Sequence, residues 1–229
     1  MARIVEFENR EQLNAYINRK TECVPLGRGT EGICYQGIDG RAYKIYFENR
    51  VREFYPIDTI VTQKDVPSKY FAFPETIFIV NGNMEAYTSM LVKHNLFDHE
   101  HLTVKGIQDI DFDNLIDAYK RIQEEARLLT EKGILISDLP GNILFDGNDL
   151  FAIDTCSYEK ESSFDEFNSN KRRIDDAIKG TFNTLFEDDS SEGLFVSPNQ
   201  DTISFLRGIE STFKSETNAK VYVNKRVGK

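Results

Sequence analysis

The glycines Gly27, Gly29 and Gly32 have the spacing G-x-G-x-x-G and stand at the beginning of a strand-turn-strand pattern. Residues 33–35 and 42–46 are rich in apolar and aromatic side chains, which predicts two strands joined by a turn. In a dinucleotide-binding fold the same spacing follows a strand, opens a helix and precedes an acidic residue by about 20 positions. A Walker loop would close on Gly-Lys-Ser or Gly-Lys-Thr, and neither follows here. The glycines are therefore predicted to lie in a β-hairpin, which excludes both of these phosphate-binding folds.

Lys44 follows the last glycine by twelve residues and lies in the second predicted strand. A second polar cluster occurs about a hundred residues later, where Asp138 and Asn142 are followed by Asp154. Two carboxylates and an amide are the ligands that Mg-ATP chemistry requires. The two clusters together predict a clamp for nucleotide phosphates.

The pattern along the chain predicts an α+β fold. Residues 112–132 form the clearest helix, because apolar side chains recur every three or four residues. Further helices are expected over 9–19, with Asn9 as N-cap, and over 173–186 and 201–214, and strands over 76–80 and 85–92. The polar residues 159–172 are expected to form a loop.

A predicted hairpin brings the second polar cluster together. Residues 142–145 and 150–153 are apolar runs separated by the turn Asp146-Gly147-Asn148. Because the two strands of a hairpin are adjacent, Asn142 at the start of one and Asp154 after the other are expected to meet.

In these features the chain resembles the protein-kinase-like superfamily, whose signature is a glycine-rich loop, a V-A-I-K strand, an H-R-D-L-x-x-x-N catalytic loop and a D-F-G metal site. It is most similar to small, atypical, bacterial-type Ser/Thr kinase-like proteins, over roughly residues 20–158. The matching residues, in chain order, are Gly27, Gly29 and Gly32 with Cys34, then Ala42 and Lys44, then Asp138 and Asn142, and finally Asp154.

The resemblance implies a bilobal fold. Residues 1–93 would form an N-terminal lobe built on an antiparallel β-sheet, carrying the glycine-rich loop and the strand lysine. Residues 94–229 would form a shortened, mainly α-helical C-terminal lobe, carrying the catalytic loop and the metal-binding aspartate.

The resemblance also implies roles for individual residues. The adenine of ATP would contact Cys34, Ala42 and the hinge at 91–93, including Leu91 and Lys93, while Lys44 would hold the α- and β-phosphates. Asn142 and Asp154 would bind Mg²⁺, and Asp138 would act as the catalytic base. Either Asp58 or Glu53 would be the acidic partner of Lys44, and Asp58 is favoured because it lies in the more regular stretch 57–60.

The catalytic loop departs from the family pattern. Ile136 and Ser137 replace the His-Arg pair, and the interval from Asp138 to Asn142 is one residue shorter than in the family. Either one residue is deleted within the loop, or Ser137 occupies the position of the aspartate. The deletion is favoured, because a carboxylate accepts a substrate proton more readily than a serine does.

Three functions follow from these features. The first is an ATP-dependent kinase that transfers the γ-phosphate to a Ser or Thr hydroxyl of a protein. The second is a small-molecule kinase of the aminoglycoside- or choline-kinase-like type, favoured by the Leu-Pro-Gly-Asn sequence at 139–142 and by the lack of an Ala-Pro-Glu segment. The third is a nucleotide-binding pseudokinase that acts as an interaction module, favoured by the shortened loop and by Thr155-Cys156 in place of Phe-Gly.

Composition excludes other classes. A net charge of −10 argues against nonspecific nucleic-acid binding, which needs a basic surface. No run of 18 apolar residues and no secretory leader are apparent, so no membrane partner is expected. The three cysteines have no CxxC spacing, which is typical of reduced thiols in the cytoplasm.

Overall fold

Strands dominate the first 90 residues, and helices dominate the rest. The computed structural model describes residues 2–48, 59–98, 102–160, 166–183 and 200–214, and it is an α+β structure. The larger strands are β1 (Arg3–Phe7), β2 (Thr21–Arg28), β3 (Gly32–Gly37), β4 (Arg41–Tyr46), β5 (Thr76–Val80) and β6 (Asn83–Met90). The helices are α1 (Arg10–Asn18), α2 (Val104–Asp109), α3 (Phe112–Glu131), α4 (Glu166–Asn183) and α5 (Thr202–Lys214). Short strands are β7 (Ile134–Leu135), β8 (Ile143–Phe145), β9 (Leu150–Ala152) and β10 (Glu159–Lys160).

Six strands form one mixed sheet in the order β1-β5-β6-β4-β3-β2. The prediction of an antiparallel sheet is wrong for β1, which runs parallel to β5 from the pair Arg3 and Thr76 to the pair Phe7 and Val80. The other neighbouring strands in this sheet are antiparallel. A hairpin forces antiparallel pairing, whereas the described residues between β1 and β5 include a helix and three strands, so the connection permits a parallel arrangement.

Helix α1 covers one face of the sheet. The side chain of Asn9 accepts a hydrogen bond from the Gln12 amide at 2.9 Å, which confirms it as the N-cap of the predicted helix. Leu13 and Ile17 are fully buried in a cluster that also contains Tyr43, Phe78, Val80 and Ala86 of the sheet. Arg10 pairs with the Glu85 carboxylate on β6 and donates to the Tyr46 carbonyl oxygen, which fixes the helix on the sheet.

Helix α3 forms the centre of the helical half and confirms the clearest sequence prediction. Its side chains share one large core cluster with those of α4 and α5. The predicted loop over 159–172 is wrong in its second part, because α4 begins at Glu166. The reason is that a helix needs only one apolar stripe, so its solvent-facing residues can be polar throughout the first turns.

A segment before the helices also belongs to their core. Val61, Val66 and residues 70–73 lie between the sheet strands β4 and β5 in sequence, and Val61, Val66, Tyr70, Phe71 and Phe73 pack in the cluster of α3. The Ala72 amide donates to the Ala152 carbonyl oxygen and the Ala152 amide to the Tyr70 carbonyl oxygen, both at 2.8 Å. This segment therefore ties β9 to the sheet. Within the described ranges, no helix combines the length and apolar character needed to cross a membrane.

Candidate functional site

A cavity of about 510 Å³ lies between the sheet and the β8–β9 hairpin. Residues from distant parts of the chain line it. Of the residues predicted from sequence, those lining it are Gly27, Gly29, Gly32, Cys34, Ala42, Lys44, Leu91, Lys93, Asn142 and Asp154. Asp138 is not among the lining residues, and Asp58 and Glu53 lie outside the described residues.

The three glycines lie where the sequence predicts, but the space around their backbones differs. Gly27 pairs with Cys34 across β2 and β3, and the Gly29 amide donates to the Gly32 carbonyl oxygen at 3.0 Å. A Cβ atom on Gly32 would lie 2.2 Å from the Ile45 carbonyl oxygen, so the backbone of β4 excludes a side chain there. A Cβ atom on Gly27 or Gly29 would meet no atom within 4 Å. Of these three glycines, the fold requires the one at position 32, and the surfaces of Gly27 and Gly29 are left open.

Lys44 forms an ion pair with Asp154 across the cavity. The two side chains are 14% and 24% exposed, so the pair is largely shielded from solvent. Lys44 Nζ also lies 3.5 Å from Glu31 Oε2, and the Tyr87 hydroxyl donates to Asp154 Oδ1 at 3.1 Å. The described acidic partners of Lys44 are thus Asp154 and Glu31.

Asp154 has a left-handed backbone conformation, with φ 57° and ψ 43°. This region is uncommon for residues other than glycine and is found preferentially at functional sites. The neighbouring backbone holds it in place, because the Ile153 amide donates to the Asn142 carbonyl oxygen at 2.9 Å and the buried Thr155 hydroxyl donates to the Ala72 carbonyl oxygen at 3.2 Å. Asn142 is thus in backbone contact with the residue that precedes Asp154, and Asn142 and Asp154 both line the cavity.

The loop before Asn142 is also tightly organised. The Asn142 side-chain amide donates to the Asp138 carbonyl oxygen at 2.7 Å, and Asp138 is a second left-handed residue, with φ 48°. Its side chain is exposed. The Ser137 hydroxyl donates to the Ser157 carbonyl oxygen at 2.6 Å, which joins this loop to the segment after Asp154.

Asn170 of α4 anchors the residues that precede this loop, and the sequence patterns did not identify it. Its side chain is fully buried; it accepts from the Ile136 amide at 2.8 Å and donates to the Ile134 carbonyl oxygen at 2.9 Å and to the Thr130 hydroxyl at 3.0 Å. The only signal for Asn170 in the sequence is that the helical period places this asparagine among apolar residues on the buried face. Tyr87 and Ser89 of β6, which line the cavity, were also missed, although their alternation along the strand places them on one face.

Burial controls the thiols near the cavity. It raises the pKa of Cys34 from 9.0 to about 11, and the Asp154 charge contributes in the same direction. Burial raises the pKa of Cys156 to about 12. Both groups are therefore protonated thiols at neutral pH and poor nucleophiles.

The oxygen-bearing side chains at the cavity suit a metal ion that takes only part of its coordination from the protein. Among the described residues, no three His, Cys, Asp or Glu side chains are grouped as a ready-made metal site. Asn142 and Asp154 offer oxygen ligands on one wall of the cavity. Mg²⁺ commonly binds through one or two such groups and completes its coordination with phosphate oxygens and water. The residues present fit that mode of binding.

Comparison of the chain with models of known protein families gives no match, and comparison with curated protein sequences gives none either.

Proposed function

We propose that this protein is an ATP-dependent phosphotransferase with a bilobal, protein-kinase-like fold, which transfers the γ-phosphate to a hydroxyl group. The observation that carries the proposal is the ion pair between Lys44 and Asp154, which crosses a cavity bordered by the open glycines Gly27 and Gly29. A shielded cation beside a backbone without side chains is suited to phosphate groups, since glycine lets the backbone approach them closely.

Each wall of the cavity has a part in the proposed reaction. Lys44 would exchange its contact with Asp154 for the α- and β-phosphates, and the released Asp154 would join Asn142 as a ligand of Mg²⁺. The metal would neutralise charge on the β- and γ-phosphates. Within the described residues, the backbone groups of Leu91, Val92 and Lys93 make no hydrogen bonds to other residues. They are therefore available to the adenine edge.

Asp138 is the proposed catalytic base. It follows Ser137, whose hydroxyl is already engaged with Ser157, so the aspartate is the better proton acceptor of the two. Asp138 is exposed, and its carbonyl oxygen accepts a hydrogen bond from the Asn142 side chain. This position suits a phosphate acceptor that approaches from solvent. We assign this acceptor to a Ser or Thr hydroxyl of a protein, and a small-molecule hydroxyl is the alternative.

Two observations favour a second candidate function. The Asp138 side chain does not line the cavity, and its loop is one residue shorter than in active kinases. A nucleotide-binding pseudokinase that serves as an interaction module would have this property, because binding requires Lys44 and Asp154 and turnover requires Asp138 in addition.

Thermal unfolding with ATP, with and without Mg²⁺, tests binding, and γ-phosphate transfer to the protein, a generic protein or amino-alcohol compounds tests turnover. We expect Mg²⁺-dependent stabilisation that Lys44→Ala and Asp154→Asn each remove, because a ligand stabilises only the state that binds it. Asp138→Asn should keep the stabilisation and lose transfer.

The matched control is Asp109→Asn, an equal change of charge at an exposed residue of α2 outside the cavity. Stabilisation without any transfer would select the pseudokinase. A wild-type protein that ATP does not stabilise, or a Lys44→Ala variant that binds ATP as tightly as wild type, would contradict the proposal.

A further inference from the structure

A second, smaller cavity lies on the opposite face of the sheet. Its volume is about 150 Å³, and its lining includes Arg3, Lys20, Arg41, Asp39 and Thr88. Lys44 and Tyr87 line the large cavity, whereas their strand neighbours Tyr43 and Thr88 line the small one. Since successive residues of a strand point to opposite faces, the two cavities are separated by the sheet.

Cationic side chains outnumber acidic ones around this cavity. Arg3, Lys20 and Arg41 face one carboxylate, that of Asp39. Within the described ranges, neither Arg3 nor Lys20 has a carboxylate oxygen within 4.0 Å, although Arg41 pairs with Asp39 and Glu75. Two positive charges are therefore left without a counterion at the rim.

The carboxylate of Asp39 already has hydrogen-bond partners. Asp39 accepts from the Tyr43 hydroxyl at 2.9 Å and from Arg41 Nη1 at 3.4 Å. Burial opposes ionisation of Asp39, but the hydrogen bonds from Tyr43 and Arg41 outweigh it and lower its pKa. Its charge is thus offset by local partners and does not neutralise Arg3 or Lys20.

The cavity also contains a buried donor. Thr88 is 2% exposed and lies in the middle of the sheet, opposite Tyr43 on β4 and Thr76 on β5. Its hydroxyl has no hydrogen-bond partner. A buried hydroxyl without a partner is destabilising, and such groups are uncommon in folded proteins. This hydroxyl and the two cations without a counterion border the same cavity, where Lys20 Nζ also lies 5.9 Å from the centre of the Tyr16 ring.

We propose that this cavity binds a phosphate-sized oxyanion, held by Arg3 and Lys20 and by a hydrogen bond from Thr88. The volume of about 150 Å³ leaves room for a phosphate group. Free phosphate and the phosphoryl group of a monoester have the same chemistry and are distinguished by the test. This site is independent of the proposed nucleotide cavity.

Isothermal titration of the full chain with sodium phosphate at constant ionic strength tests this site. We expect saturable binding that Arg3→Gln and Lys20→Gln each weaken about tenfold, as for the loss of a charge-assisted hydrogen bond. Thr88→Val should weaken binding several-fold while the protein stays folded, since its hydroxyl contributes no bond to the fold. Arg19→Gln is the matched control, because Arg19 is exposed and does not line the cavity.

Two comparisons complete the test. O-phosphoserine binding at least as tightly as phosphate would support the site and assign it to a phosphomonoester; binding of phosphate alone would support it as a free-phosphate site. Lys44→Met should leave phosphate binding intact. Three results would overturn the proposal. Neither compound binds, or Lys20→Gln and Thr88→Val bind phosphate as tightly as wild type, or Lys44→Met alone loses binding. The last result would assign the phosphate to the nucleotide cavity.

Discussion

Single residues of the large cavity divide into those that the fold requires and those that it leaves free. Gly32 is excluded from carrying a side chain by the β4 backbone, whereas Gly27 and Gly29 face open space. Lys44 is held between Asp154 and Glu31, so an anionic ligand must compete with both carboxylates. These differences separate effects on stability from effects on binding.

Alanine at the glycines should therefore give opposite results. Gly32→Ala should lower the free energy of unfolding by about 1–3 kcal/mol, because the added methyl group overlaps the Ile45 carbonyl oxygen. Gly29→Ala should leave stability within about 0.5 kcal/mol of wild type, as for an open surface site, and weaken ATP binding. Urea unfolding and ATP titration of both variants measure this, and a Gly29→Ala variant with unchanged ATP affinity would contradict a phosphate contact at the loop.

Neutralising Glu31 should tighten nucleotide binding. Its carboxylate lies 3.5 Å from Lys44 Nζ, and its side chain is 46% exposed, so the pair is weak. Glu31→Gln should lower the dissociation constant for ATP about two- to fourfold, the scale of an exposed ion pair. AMP, which lacks the β- and γ-phosphates, should show a smaller change, and Glu22→Gln on β2 serves as control. Weaker ATP binding in Glu31→Gln would assign the carboxylate a supporting role instead.

At the scale of elements, the loop that carries Asp138 depends on a helix distant in sequence. Asn170 of α4 makes three hydrogen bonds to Thr130, Ile134 and Ile136, and thereby connects the end of α3 and strand β7. Because all three partners are near the start of the loop, α4 sets the position from which Asp138 and Asn142 extend.

Removing this connection should reduce stability and turnover together. Asn170→Ala removes the side-chain partner of the buried Ile136 amide and of the Ile134 carbonyl oxygen, and we expect a loss of about 2–4 kcal/mol from these groups. Thermal unfolding measures the loss, with Asn114→Ala on the exposed face of α3 as control. An Asn170→Ala variant as stable as wild type would show that water replaces the lost bonds.

At the scale of the whole molecule, the sheet and the segment after β9 together enclose thiols and hydroxyls around Asp154. Cys34 comes from the sheet and Cys156 from the segment after β9, and burial raises the pKa of both thiols above 9.0, to about 11 and about 12. The buried hydroxyls of Tyr46 and Tyr87 have pKa values raised for the same reason. The folded state therefore resists ionisation here.

Alkaline pH should consequently destabilise the fold. The thiol of the unfolded chain ionises near pH 9, whereas the folded thiols stay protonated, so stability is full below pH 9 and falls as pH rises above it. By pH 10 the loss should be about 1 kcal/mol per thiol. Urea unfolding at pH 8 and pH 10 under reducing conditions measures it. The Cys34→Ala, Cys156→Ala double variant should lose less stability between the two pH values, because it lacks the thiol contribution and keeps only that of the tyrosines. A loss of stability equal to that of wild type would contradict the assignment to the thiols.

Local sequence patterns determined much of this structure. Helices α1, α3 and α5 and hairpins β3–β4 and β8–β9 follow from spacing and turn residues, because these signals act over a few neighbouring positions. The order of Gly27, Lys44, Asn142 and Asp154 also predicted one common cavity, and all four residues line it.

Contacts between distant segments decided the rest. The parallel pairing of β1 with β5, the ion pair of Lys44 with Asp154, the burial of Asn170 and the phosphate-sized cavity at Thr88 each join residues far apart in the chain. The exposed position of Asp138 likewise depends on how its loop is anchored to α4 and to Ser157. Periodicity reports which face of an element is buried but not which element covers it, so only the tertiary structure could establish these partners.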